Sequence, residues 1–184
     1  MNNIWNTIRY WDYHLYKFLH GAIAGRPWLN ESYLFFAKYG IVIIFLSSIY
    51  LIWKKKINAF VCAFFAMSIS GLVDLAIIFI WKRPRPFIAH SNEIMTPITQ
   101  GLRVDSASFP SAHTYFAFAI ATAVFLYGHR KLGTILFIVA LLIGIGRIGA
   151  GLHYPSDVIA GALLGIASGI FAYLIVHGRE KKWQ

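Results

Sequence analysis

The chain has 184 residues, of which 58% are hydrophobic and 13% charged, a composition that excludes an ordinary water-soluble domain and leaves room for one membrane-embedded unit. Its formal charge of +10 at pH 7 comes from short basic clusters beside apolar runs, so it reads as topology signal and anion ligands rather than a nucleic-acid surface. The single cysteine, Cys62, rules out an intrachain disulfide framework and a thiolate metal cluster.

Ile4, Ile8, Trp11, Leu15, Phe18 and Ala22 recur at steps of four and three, one face of an α-helix. Arg9, Asp12, His14 and Lys17 interrupt any continuous apolar span, so a helix lying in the membrane interface is expected over residues 1–29, not a crossing one and not a signal peptide. Gly21, Gly25 and Pro27 should end it, with a turn at Pro27-Trp28-Leu29-Asn30. Apolar spans then follow at about Tyr33 to Trp53, Ile57 to Trp81, Pro110 to Tyr127, Leu132 to Gly149 and Pro155 to His177. A loop from about Lys82 to Ser108 separates the second span from the third. The expected fold is all-α: a polytopic transmembrane bundle of five to six spans over residues 30–184, one domain with the interfacial helix.

Three features mark these spans. Asp74 lies inside the second and reads as polar glue to a neighbouring helix or a carboxyl kept neutral, rather than a catalytic group. Gly161, Gly165 and Gly169 recur every fourth residue in the fifth, which lets another helix pack closely. Lys54 to Lys56, then Arg130 with Lys131, then Arg179 to Lys182 follow alternate crossings, and all three clusters agree on the cytoplasmic side. The Arg83/Arg85 loop, the start of the third span and the fourth-to-fifth turn then share the opposite face.

On that face Arg147 to Asp157, Arg-Ile-Gly-Ala-Gly-Leu-His-Tyr-Pro-Ser-Asp, puts a cation, an imidazole and a carboxylate into sequence apolar enough for lipid. An imidazole with a carboxylate four residues on is the pattern of an oriented nucleophile, and equally of an ion pair closing two helix ends. Ser108-Phe109-Pro110-Ser111-Ala112-His113 opens a helix whose first-turn N–H groups, with the Ser111 hydroxyl, suit an anion. Arg83 or Arg85, with Arg147, offers planar donors for phosphate oxygens, while His113 and His153 supply one group to attack and one to protonate a leaving oxygen. No acidic cluster of the kind that holds Mg²⁺ is seen, so no metal and no cofactor is expected.

Arg85-Pro86, Pro110-Ser111-Ala112-His113 and Arg147-x5-His153-x3-Asp157 together resemble the three-part signature of the type 2 phosphatidic acid phosphatase superfamily, from about Ile57 to Gly169. Arg85 to His90 and Ser106 to Thr114 resemble its bacitracin-resistance type undecaprenyl-diphosphate phosphatases. The resemblance implies His153 as a nucleophile forming a phosphohistidine, Asp157 as its orienting partner and His113 as general acid. It implies a phosphate held by Arg85, Ser111, the Ala112 N–H and Arg147, with Arg83 assisting. Three positions depart from the family pattern: Ile78 stands where a lysine is usual, Ala112 for a glycine, and Gly146 for a serine. The implied activity is hydrolysis of a polyprenyl diphosphate, a lipid substrate, at the outer face of a bacterial plasma membrane. A broader phosphatase of phosphatidylglycerophosphate or phosphatidic acid is the near alternative, and a transporter or scaffold the distant one.

Overall fold

The computed structural model describes residues 2–24, 26–92 and 107–180, all of its regular structure helical. In chain order the helices are α1 (Asn2–Ala24), α2 (Pro27–Trp53), α3 (Ile57–Ile80), the single turn α4 (Pro86–Ala89), α5 (Ala112–Leu126), α6 (Arg130–Gly149) and α7 (Pro155–Glu180). Ser106 and the basic residues Lys181 and Lys182 lie outside the described residues.

Among the described residues, four helices are long and apolar enough to cross a membrane: α2 over Glu31–Trp53, α3, α6, and α7 over Pro155–Gly178. The expected third span is shorter than the sequence suggests. Pro110 and Ser111 stay outside the helix, Ser111 as its extended N-cap, and α5 keeps 15 residues. At 1.5 Å per residue that is about 23 Å, short of a hydrocarbon core of roughly 30 Å. It tolerates this because neighbours, rather than lipid, surround it: ten of its residues are buried, among them Ala117, Ala119, Ile120, Ala121 and Ala123.

The core is assembled on α5. Ile44 and Leu51 of α2, Cys62, Ala63 and Ala66 of α3, Leu136, Ala140 and Ile143 of α6, and Ala172 of α7 close around it. Between helices in lipid the hydrophobic effect gives little, so close van der Waals packing must hold them, and small residues permit it. The Gly161/Gly165/Gly169 row does this work against α5. A Cβ added at Gly161 would sit 2.8 Å from the Ser111 carbonyl oxygen, one at Gly165 2.8 Å from Phe118 Cβ, and one at Gly169 2.6 Å from Thr122 Cβ.

One local expectation changes. The turn expected at Pro27 to Asn30 is already helix, because Pro27 occupies the first turn of α2, where its missing N–H costs nothing. The apolar stripe of α1 faces away from the protein: Ile8, Trp11, Leu15 and Phe18 are exposed, as suits an interfacial helix. The face that packs inward carries Asp12 and the fully buried Tyr16.

Candidate active site

The spacing Arg147-x5-His153-x3-Asp157 is set by how one helix stops and the next starts. Past the end of α6, Gly151 takes φ +71°, the Gly151 N–H donates to the Ile148 carbonyl (2.9 Å) and the Leu152 N–H to the Arg147 carbonyl (3.0 Å). This is a Schellman cap; it folds the chain back so that His153 returns to the Arg147 side chain. Pro155 opens α7, and Asp157 in its first turn accepts the Tyr154 N–H through Oδ2 (2.8 Å), half of a capping box. Arginine, histidine and aspartate therefore meet by the rules of helix termination.

His153 is buried, and its two ring nitrogens have different surroundings. Nδ1 lies 2.7 Å from the Ser108 carbonyl oxygen, which can only accept, so Nδ1 carries the proton and Nε2 the lone pair. Nε2 faces Arg85 Nη1 at 3.2 Å and Arg147 Nη2 at 3.4 Å. Asp157, the expected orienting partner, acts at one remove. Its Oδ2 is 3.7 Å from Nδ1, beyond a hydrogen bond, but accepts the Ser108 hydroxyl at 2.6 Å and so fixes the residue whose carbonyl holds the ring. Burial pushes the His153 pKa down to about 4; Asp157 opposes this, and the Arg147 and Arg85 charges add to it. The ring is neutral at pH 7. Arg85 is lowered from its ordinary value by burial, with Asp157 opposing.

Arg147 is buried and donates through Nη1 to the Ala37 carbonyl of α2 (3.0 Å). That contact explains Gly146. A Cβ there would come within 2.7 Å of the Tyr33 carbonyl oxygen and 2.9 Å of the Ala37 nitrogen, so the usual serine would push α2 away from the arginine. Arg147 Nε has no partner among the described residues.

The second motif folds as the start of α5. The Ser111 N–H donates to the Asp157 carbonyl oxygen (3.1 Å), tying α5 to α7, and its buried hydroxyl accepts from Thr114 Oγ1 (2.9 Å). His113, in the first turn, is within Coulombic reach of Arg147, His153 and Arg85. Ala112 and Arg85 line a cavity of about 290 Å³ with Asp74, Ile78, Lys82, Ala107 and Pro110. Ile78, where the family has lysine, thus shares a cavity with Lys82. Asp74 accepts the Tyr115 hydroxyl (2.8 Å), the interhelical polar contact expected of it.

Arg83 is engaged differently from the other arginines. Nη1 donates to Asp157 Oδ1 (2.7 Å) and Ser156 Oγ (2.7 Å), and Nη2 to Asp12 Oδ2 (2.5 Å), with the guanidinium 3.9 Å over the Tyr154 ring. Its visible work is to hold carboxylates. His90 stacks on Tyr13 of α1, with ring centroids 3.9 Å apart and 18° between planes. Sequence reasoning passed over Asp12 and the Ser108 carbonyl. The carbonyl leaves no mark in a sequence, but Asp12 is one of only seven acidic residues in the chain.

Two guanidinium groups aimed at the Nε2 of one imidazole, in a multi-helix membrane bundle, make an arrangement able to hold a phosphate against a nucleophile. The model described as PAP2 superfamily matches residues 59–181, and the chain belongs to that superfamily. Undecaprenyl-diphosphatase BcrC of Bacillus subtilis (strain 168) is 33% identical over 165 residues, covering 88% of this chain and 82% of the relative. The crystal structure of Aquifex aeolicus LpxE superposes with TM-score 0.65 at 27% identity, covering 86% of this chain and 92% of that one. The first transmembrane PAP2 type phosphatidylglycerolphosphate phosphatase from Bacillus subtilis shares the fold, with TM-score 0.62 at 24% identity over 97% and 89% of the two chains.

Proposed function

We propose that the protein hydrolyses undecaprenyl diphosphate to undecaprenyl phosphate and inorganic phosphate, recycling a lipid carrier of cell-wall sugars. The observation that carries the reaction is the Nε2 lone pair of His153, held from behind by Ser108 and facing Arg85 and Arg147 at 3.2 and 3.4 Å. A phosphate seated there is neutralised by both guanidiniums, by the spare Nε–H of Arg147, by the Ser111 hydroxyl and by the first-turn amides at Ala112. The substrate class rests on BcrC, a relative named for that activity and matched over most of both chains.

In the first step Nε2 attacks the terminal phosphorus and forms the P–N bond as the P–O bond to the prenyl phosphate breaks. His113 gives its proton to the departing oxygen. The phosphorylated ring carries a positive charge, which the Ser108 carbonyl and the Asp157 carboxylate at 3.7 Å stabilise. In the second step neutral His113 takes a proton from water, the water oxygen attacks phosphorus, the P–N bond breaks, and both histidines return to their starting states. The arginines stabilise the equatorial charge in both steps, and no metal is needed.

The same proposal has α5 crossing with the four longer spans, five in all. Lys54 and Lys56 after α2 share a cavity of about 510 Å³ with His129, Arg130 and Lys131 at the start of α6, at the end of the bundle away from His153. A basic end of this kind faces the cytoplasm, so the reaction takes place at the outer leaflet.

The test is phosphate release by purified protein in detergent from undecaprenyl diphosphate, phosphatidylglycerophosphate and phosphatidic acid, with and without EDTA, and with His153→Ala. Strong preference for the diphosphate, unaffected by EDTA and lost in the variant, is expected. Equal rates on all three would refute the substrate assignment, and release by His153→Ala would refute the mechanism.

A further inference from the structure

We propose that Asp12 is a positioning residue for the reaction: from α1 it holds Arg83 and the first turn of α7, and through them sets the Asp157–Ser108–His153 relay. This rests on the phosphohistidine reading above. It assigns the N-terminal helix a part in catalysis beyond seating the chain on the bilayer.

The two faces of α1 carry opposite chemistry. Ile8, Trp11, Leu15 and Phe18 point outward, while the Asp12 side chain is 7% exposed and turned to the site. A buried carboxylate needs partners, and all of those found for Asp12 belong to the catalytic turn or the arginine that touches it. Oδ1 accepts the Ser156 N–H (3.1 Å), an amide of the first turn of α7 that has no acceptor within its own helix. Oδ2 accepts the Ser156 hydroxyl (2.6 Å) and Arg83 Nη2 (2.5 Å). Asp12 therefore caps α7 from another helix, one residue before Asp157.

Arg83 divides one positive charge between two carboxylates, Asp12 on Nη2 and the fully buried Asp157 on Nη1. The division matters to His153. With Asp12 neutralised, Arg83 is free to turn wholly onto Asp157 and to compete with the Ser108 hydroxyl for its oxygens. The carboxylate then stabilises the positive phosphorylated ring less, and Ser108 holds Nδ1 less firmly. The stacking of His90 on Tyr13 attaches the Arg83/Arg85 segment to α1 at the residue next to Asp12, so the strap has two fastenings.

The experiment compares wild type, Asp12→Asn, Asp12→Glu, Arg83→Gln and the Asp12→Asn/Arg83→Gln double variant in phosphate release from undecaprenyl diphosphate in detergent. Thermal unfolding is followed in parallel. The expected result for Asp12→Asn is a fall in kcat of roughly 10- to 100-fold, the scale of one charge-assisted hydrogen bond, with KM little changed and partial recovery in Asp12→Glu. In the Arg83→Gln background the same change should add little, because the arginine through which it acts is gone. Full activity in Asp12→Asn, or the same fold-loss with and without Arg83, would overturn the proposal. If Asp12→Asn does not fold, Ser156→Ala keeps both charges and removes the hydroxyl between them. A lowered kcat at constant KM then supports the clamp, and an unchanged kcat overturns it. A wild type inactive on every lipid phosphate would remove the functional reading and this inference together, whereas an active wild type with a fully active Asp12→Asn removes the inference alone.

Discussion

Replacing Asp157 by asparagine keeps the side-chain shape and asks what the charge and the second acceptor oxygen do. Asp157 is fully buried and receives three donors: Arg83 Nη1 at 2.7 Å on Oδ1, and the Ser108 hydroxyl at 2.6 Å and the Tyr154 N–H at 2.8 Å on Oδ2. An asparagine offers one acceptor oxygen and one NH₂ group. If the NH₂ faces Arg83, two donors meet beside a cation that keeps only Asp12. If it faces Tyr154, it meets a backbone N–H that cannot turn, and the Ser108 hydroxyl must reverse. Either way a buried charge pair is broken, for which about 3–5 kcal/mol is typical. If all of that loss falls on the transition state, at about 1.4 kcal/mol per tenfold in rate, kcat should drop roughly 100- to 4,000-fold. The assay is steady-state phosphate release alongside thermal unfolding, so that a folded but slow enzyme is told from an unfolded one. A folded Asp157→Asn variant with a kcat within a few-fold of wild type would refute the reasoning, because neither the relay through Ser108 nor the charge behind His153 would then matter.

Burial holds the His153 pKa at about 4 against an ordinary 6.5, so the nucleophile should stay neutral as pH falls, and the acid limb of kcat/KM attributable to it should lie near 4. The same depression sets a stability trend. Between 6.5 and about 4 the unfolded chain takes up the proton first, so this group makes the fold less stable as pH drops through that window and adds no further loss below it. Activity and unfolding profiles against pH check both statements, and an acid limb at or above 6.5 contradicts them. Arg147→Lys should lower kcat by about 100-fold, since an ammonium cannot reach the Ala37 carbonyl, His153 and a phosphate oxygen with one planar fork; kinetics of the purified variant test it. Gly165→Ala should cost about 1–3 kcal/mol, measured by unfolding in detergent, because its Cβ would stand 2.8 Å from Phe118 Cβ and 2.9 Å from the Ala119 nitrogen. Gly21→Ala, with nothing within 4 Å of the new atom, is the neutral control.

Much of this site can be read from the chain because charge is conspicuous in an apolar sequence. Arg147, His153 and Asp157 stand out against their neighbours, and their spacing is that of a Schellman cap followed by half of a capping box, both local features. The glycine row on α7 is legible for a similar reason, since small residues at a period of four have one common use between lipid-embedded helices. What a linear reading misses is long-range or carried by the backbone. The carbonyl that fixes the His153 tautomer belongs to Ser108, 45 residues away. Arg83 and Arg85, separated by Pro84, look alike in sequence, but one reaches Asp12 and Asp157 and the other His153. The periodicity of α1 identifies the helix while pointing attention at its outer face, so Asp12 appears there only as an interruption. The length of α5 is likewise a tertiary result, because a helix enclosed by its neighbours does not need to match the thickness of the bilayer.

The central claim is that His153 carries the phosphoryl group. The direct measurement is rapid acid-free denaturing quench of the enzyme during turnover of undecaprenyl diphosphate, followed by peptide mass spectrometry of wild type and His113→Ala, the second variant chosen because it should slow breakdown of the intermediate. One phosphoryl group on His153, alkali-stable and acid-labile, is the expected result. Phosphate release with no label on His153 in either protein would contradict the account, and a label on His113 instead would reverse the two roles.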